Sequence, residues 1–146
     1  MKSLLLIITI TMMTLVGYSQ TSPSKGTTKI TIKNQVSAKE NFELMISKLL
    51  DEQYFIETKD TVLNLIKTQP KNAKGFTYYL NIRAKANEID IMGSFNDGLT
   101  IKMGAISANP SYQEIVFRGM KGSLFRKAWD VMEAFAKKIS PELSYQ

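Results

Sequence analysis

Histidine and cysteine are both absent from the 146 residues of this chain, so the side chains left for catalysis are serine, threonine, tyrosine, lysine and the carboxylates. The lack of histidine removes the commonest general base, the commonest metal ligand and the imidazole pH switch. The lack of cysteine removes thiolate nucleophiles, thiolate-bound zinc, disulfides and lipid attachment at an N-terminal cysteine. A serine nucleophile would need a lysine as its base. Ser47-Lys48 and Lys121-x-Ser123 are the neighbouring pairs, but adjacency in sequence does not aim an amine at a hydroxyl, and surface positions and a helix cap account for them. Paired carboxylates would come from Glu88, Asp90 and Asp97. Glu88 and Asp97 fall at opposite ends of one extended stretch, and at ~3.3 Å per residue they stand beyond the ~5–9 Å that glycosidase pairs need. Asn96-Asp97-Gly98 suits a turn, since the long calcium loop with its closing glutamate is missing. No catalytic residue, metal site or cofactor is expected.

Binding is better served. Tyr79, Arg83, Met92 and Lys102 are expected on one exposed sheet face, a ring and a thioether amid cations. Those ingredients suit single-stranded nucleic acid, but the net charge of +6 is dispersed and no basic run exists, which disfavours it. Tyr, Arg and Met are also the types enriched in protein interfaces, so an envelope protein or a second copy is the expected partner. The alternative is a small hydrophobic ligand carried between the sheet and the C-terminal helix. Met45, Met103, Met120 and Met132 would line the site and Gly93 would leave space. The competing account gives the methionines to a dry core and has Gly93 admit Trp129 or Phe135 to the sheet.

The elements that must position these residues follow a targeting segment. Met1-Lys2-Ser3 is a basic start, Leu4 to Val16 an apolar run with threonines, and Gly17-Tyr18-Ser19 a small-residue cleavage site before Gln20. The run is shorter than the ~20 apolar residues a membrane span needs. Residues 1–19 therefore read as a secretory signal, and export to the periplasm or beyond, without a lipid anchor or a transmembrane segment in the mature chain, is expected. Cleavage takes Lys2 alone among charged side chains and leaves a net charge of +5. Residues 20–27 are polar with Pro and Gly, a flexible leader, and 28–146 form one domain.

Thr28 to Lys33 alternates as a strand, and Ser37 with Glu40 forms a capping box. Phe42, Met45, Ile46, Leu49 and Leu50 then make a helical stripe. Tyr54–Lys59 and Val62–Thr68 read as strands around Asp60-Thr61, with their faces left open. Phe76, Tyr78, Leu80, Ile82, Ala84 and Ala86 share an apolar face. A two-residue loop at Asn87-Glu88 would set Ala86 against Ile89, Ala84 against Ile91, Ile82 against Gly93 and Leu80 against Phe95. A turn with left-handed Gly98 would add a third strand, with Phe95 against Leu99, Gly93 against Ile101 and Ile91 against Met103. On the other face that register puts Lys85 across from Asp90 and Met92 between Arg83 and Lys102. Glu114–Arg118 is a possible short strand. Phe125, Ala128, Trp129, Met132, Phe135, Ala136 and Ile139 stripe a long helix that ends at Pro141. The fold class is thus α+β: two layers, an antiparallel meander of five to seven strands, and both amphipathic helices on one face.

The Ser37-capped helix, the strand pair around Asp60, the Ile66-Lys67-Thr68-x-Pro70 stretch, the Tyr78-Tyr79-Leu80-Asn81-Ile82 strand and the closing helix with Trp129 together resemble small envelope domains of unknown function from Gram-negative bacteria. That resemblance implies a TATA-box-binding-protein-like or helix-grip-like fold and an envelope location, and it brings no catalytic residues. Many such domains carry a lipobox cysteine; this chain has none.

Overall fold

The computed structural model describes residues 22–98, 101–103, 106–108 and 111–146, with the side chains of 99–110 outside that set. The targeting segment, the start of the leader and the expected partner Leu99 fall outside it as well. The described elements run β1 (Ile30–Lys33), α1 (Ala38–Asp51), β2 (Ile56–Asp60), β3 (Leu65–Thr68), β4 (Lys71–Ala73), β5 (Phe76–Lys85), β6 (Glu88–Asn96), β7 (Ile101–Met103), β8 (Ile106–Ala108), β9 (Gln113–Glu114), α2 (Leu124–Ile139) and β10 (Ser144–Tyr145). Eight of the strands form one antiparallel sheet in the order β10-β1-β6-β5-β3-β2, with β4 on β5 and β9 on β6. The α+β class with an N-terminal and a C-terminal helix on a large antiparallel sheet is as the periodicities require.

Each helix begins where its cap demands. Ser37 Oγ accepts from the Glu40 amide while the Glu40 carboxylate accepts from the Ser37 amide, the reciprocal box that satisfies two orphan donors. Ser123 caps α2 by accepting from the Arg126 amide, without the reciprocal bond. The stripes of Phe42, Met45 and Leu49 and of Ala128, Trp129, Met132, Phe135 and Ala136 are buried in one core with Leu80, Ile82, Ile89, Ile91 and Phe95 of the sheet. At about 1.5–3 kcal/mol for each large apolar side chain removed from water, this shared layer is the main source of cohesion. Leu50, expected in the first stripe, is 55% exposed, because α1 ends beside it and no neighbouring element covers that side.

The β5–β6 hairpin keeps its expected face but not its expected turn. Lys85 faces Glu88, Ala84 faces Ile89, Ile82 faces Ile91, Leu80 faces Gly93 and Tyr78 faces Phe95, so the loop is Ala86-Asn87. The displacement is two residues, an even number, so every side chain stays on its face. The cause lies outside the hairpin. Asn87 takes a left-handed φ of 65°, its amide donates to Val36 O at 2.9 Å, and its carbonyl accepts from the Asn34 amide at 2.9 Å. Asn41, buried in α1, adds a bond from Nδ2 to Lys85 O at 2.8 Å.

The third strand is a larger correction. Gly98 has the expected left-handed φ of 68°, but β7 pairs with β8 in a separate ladder and does not lie beside β6. That place belongs to β1, with Ile30 opposite Ile91 and Ile32 opposite Ile89. β1 brings two buried isoleucines and the Thr31 hydroxyl, which donates to Asp90 Oδ1 at 2.8 Å. Turn chemistry sees only sequence neighbours and is blind to such a partner. The strand expected over Glu114–Arg118 shrinks to Gln113–Glu114 beside Phe95 and Ser94, after which Ile115 turns into the core. β4, β10 and β8, which falls in a stretch expected to be loop, were not anticipated.

Candidate functional site

The sheet face away from the helices is built from cross-strand rows. One row runs Thr58, Lys67, Asn81, Met92 across β2, β3, β5 and β6, and the next runs Asp60, Leu65, Arg83, Asp90. A bulge in β2 between Ile56 and Thr58 brings Thr58 into the first row. Between the rows lies a groove of about 410 Å³ lined by Thr58, Asp60, Leu65, Ile66, Lys67, Asn81, Ile82 and Met92. Leu65 and Met92 supply its apolar side chains on this face, and Asn81, Thr58 and Lys67 its polar ones.

Of the four expected binding residues Met92 alone lines this groove, and Arg83 and Tyr79 share its sheet face. Met92 lines the groove, Arg83 is two residues from Asn81 and opposite Leu65, and Tyr79 is two residues from Asn81 in the other direction. Lys102 does not join them. It belongs to β7, opposite Ser107, because β1 holds the position beside β6 that the expected register gave to its strand. Tyr112, not singled out from the sequence, packs against Tyr79 at a tilt of 56° with ring centroids 4.9 Å apart, and Lys67 Nζ lies 4.8 Å from the Tyr79 ring centre. Glu57 holds Lys67 at 2.9 Å, and that hydrogen bond raises the ammonium pKa above the ordinary lysine value. Nothing in a lone Tyr112 beside a loop proline signals such a contact.

Asp90 and Glu88, on this face, are already paired. Lys85 reaches Asp90 at 2.7 Å and Glu88 at 2.8 Å, the former diagonally across the corrected register, and Lys29 stands 3.6 Å from Asp90. Arg83 is exposed and makes no hydrogen bond or ion pair among the described residues.

Of the candidate catalytic groups, Glu88 and Asp90 both bind Lys85, and the others stand apart. Ser123 is occupied as the α2 cap, Ser47 is an exposed position on α1, and Glu88 and Asp97 stand at opposite ends of β6. A cleft of about 210 Å³ does gather Glu52, Lys71 and Lys138 beside Tyr54. Its lysines are spent on structure: Lys71 donates to the Glu52 carbonyl at 2.9 Å, closing the C-terminus of α1, and Lys138 pairs with the Glu52 carboxylate. Burial and the hydrogen bond its hydroxyl makes to Tyr78 push the Tyr54 phenol pKa far up, so it stays neutral. Of the methionines expected around a ligand between sheet and helix, Met45 and Met132 are fully buried in the core, whereas Met120 is 84% exposed and lines nothing there. The side chain of Met103 lies outside the described residues. The space at Gly93 admits neither Trp129 nor Phe135. Ile115 takes it, its Cδ1 lying 2.8 Å from where a Cβ would stand.

Comparison of the chain with protein-family models, with curated proteins and with solved structures finds no significant match in any of the three.

Proposed function

We propose that the chain is an exported, non-enzymatic binding domain of the bacterial cell envelope that holds a protein partner through the outer face of its sheet. The observation that carries this reading is the groove of about 410 Å³ on a face that no helix among the described residues covers, with Met92 and Leu65 inside it and exposed Arg83 on the same face. Tyrosine, arginine and methionine are the residues protein interfaces favour, and here Tyr79, Arg83 and Met92 share one face of the sheet. The helix side of the sheet is consumed by the core, so contact with a partner falls to the other side.

The test is affinity purification from the envelope fraction after crosslinking, comparing the wild type with Tyr79→Ala/Arg83→Glu. Both changes sit on the outer surface, so the melting temperature should move by no more than about 5 °C. The partner recovered with the wild type should be lost. Retention of that partner by the double variant, or failure of the wild type to crosslink any partner, contradicts the reading.

A further inference from the structure

Arg83 is an unspent cation in a row whose carboxylates are already engaged. Its cross-strand neighbours are Leu65 on β3 and Asp90 on β6. Asp90 is shared among Thr31, Lys85 and Lys29. Asp60, at the edge of the row, uses Oδ1 to accept from the Val62 and Leu63 amides at 2.8 and 2.9 Å. Lys67, in the next row, is held by Glu57. A guanidinium is a rigid fork that matches a carboxylate with two parallel bonds, and this one stands beside the apolar side chain of Leu65 with Met92 nearby in the same groove.

We propose that the occupant of the groove is an acidic segment of another polypeptide, in which a glutamate or aspartate meets Arg83 and a neighbouring apolar side chain seats between Leu65 and Met92. This rests on the outer face being the binding surface and adds the chemistry of the partner. The groove crosses four strands, a span of roughly 15 Å at ~4.8 Å per strand, which is the reach of about four or five extended residues. A peptide also brings main-chain amides and carbonyls that need partners, and Thr58, Asn81 and Lys67 offer them along the same row. An acyl-chain carboxylate would satisfy Arg83 but leave that polar row unused.

Fluorescence anisotropy with the purified protein tests this using three labelled hexapeptides in which leucine alternates with glutamate, glutamine or lysine, and decanoate as a competitor. The glutamate peptide should bind about tenfold tighter than the glutamine peptide, the increment expected for one hydrogen-bonded charge pair. The lysine peptide should not bind. Arg83→Gln should erase the tenfold difference, whereas Met92→Ala should weaken the glutamate and glutamine peptides alike. Equal binding of those two peptides, or a difference that survives Arg83→Gln, overturns the acidic segment while leaving the face a binding surface. Binding of decanoate without any peptide overturns it in favour of an acyl carboxylate. If no probe binds although a partner still crosslinks through this face, the segment chemistry alone fails; if no partner crosslinks there, the proposed function fails with it.

Discussion

Asp90 is buried although it lies on the side of the sheet away from the helices, and its oxygens are divided among Thr31, Lys85 and Lys29. Burial alone would raise its pKa. The hydrogen bonds from Lys85 and Thr31 and the charges of the two lysines outweigh burial and hold it below the ordinary aspartate value. A depressed carboxylate pKa contributes stability that is complete above the unfolded pKa of about 3.9 and is lost as pH falls through the folded one. Asp90→Asn should therefore cost about 1–3 kcal/mol at pH 7, since the lysines are partly exposed and retain some solvent. Urea unfolding should show that deficit unchanged from pH 7 to pH 5 and shrinking below about pH 4. An asparagine variant as stable as the wild type at pH 7 would show that the ion pairs are ornamental. Arg83, directly opposite Asp90 in register, gains nothing from it. The difference between these two neighbours is the difference between a structural charge and one that the proposed function gives to a ligand.

The elements differ in how far they could be read from sequence, and the reason is the range of the interaction that fixes each. α1 and α2 were legible because a capping serine and a 3.6-residue stripe are local signals. The apolar face of β5 and β6 was legible because alternation survives a two-residue slip, whereas the turn itself was not, since Asn34 and Val36 fix it from a distance in sequence. The other neighbours of β6 were invisible, because β1 and β9 reach it from remote parts of the chain. β10 likewise returns after Pro141 to pair with β1, and Tyr145 donates to Glu133 at 2.7 Å. Of the site, Tyr79, Arg83 and Met92 came from alternation, Lys102 was misplaced with its strand, and Tyr112 and Leu65 needed tertiary structure. Gly93 marks how closely β9 and its extension meet the sheet. An added Cβ would lie 2.8 Å from Ile115 Cδ1 and 2.9 Å from the Tyr79 carbonyl oxygen. Gly93→Ala should cost about 1–3 kcal/mol by overpacking, and Ile115→Val in the same chain should restore only part of it, because the carbonyl is backbone and cannot yield. Chemical denaturation of the wild type and the two variants reads this directly. Full restoration would place the conflict in the Ile115 side chain alone.

At the scale of the molecule, the two faces of the sheet divide the labour. The inner face carries the core that replaces disulfides, with Trp129 packed against Phe117 and Tyr145 and Phe135 against Tyr54. The outer face carries the groove, the tyrosine pair and the unspent arginine. Photocrosslinking in the envelope fraction tests this division most directly, with a benzoylphenylalanine placed either at Met92 in the groove or at Leu44 on the exposed side of α1. The account predicts a discrete protein adduct from Met92 and none from Leu44. Adducts from Leu44 alone, or from neither position, would contradict it.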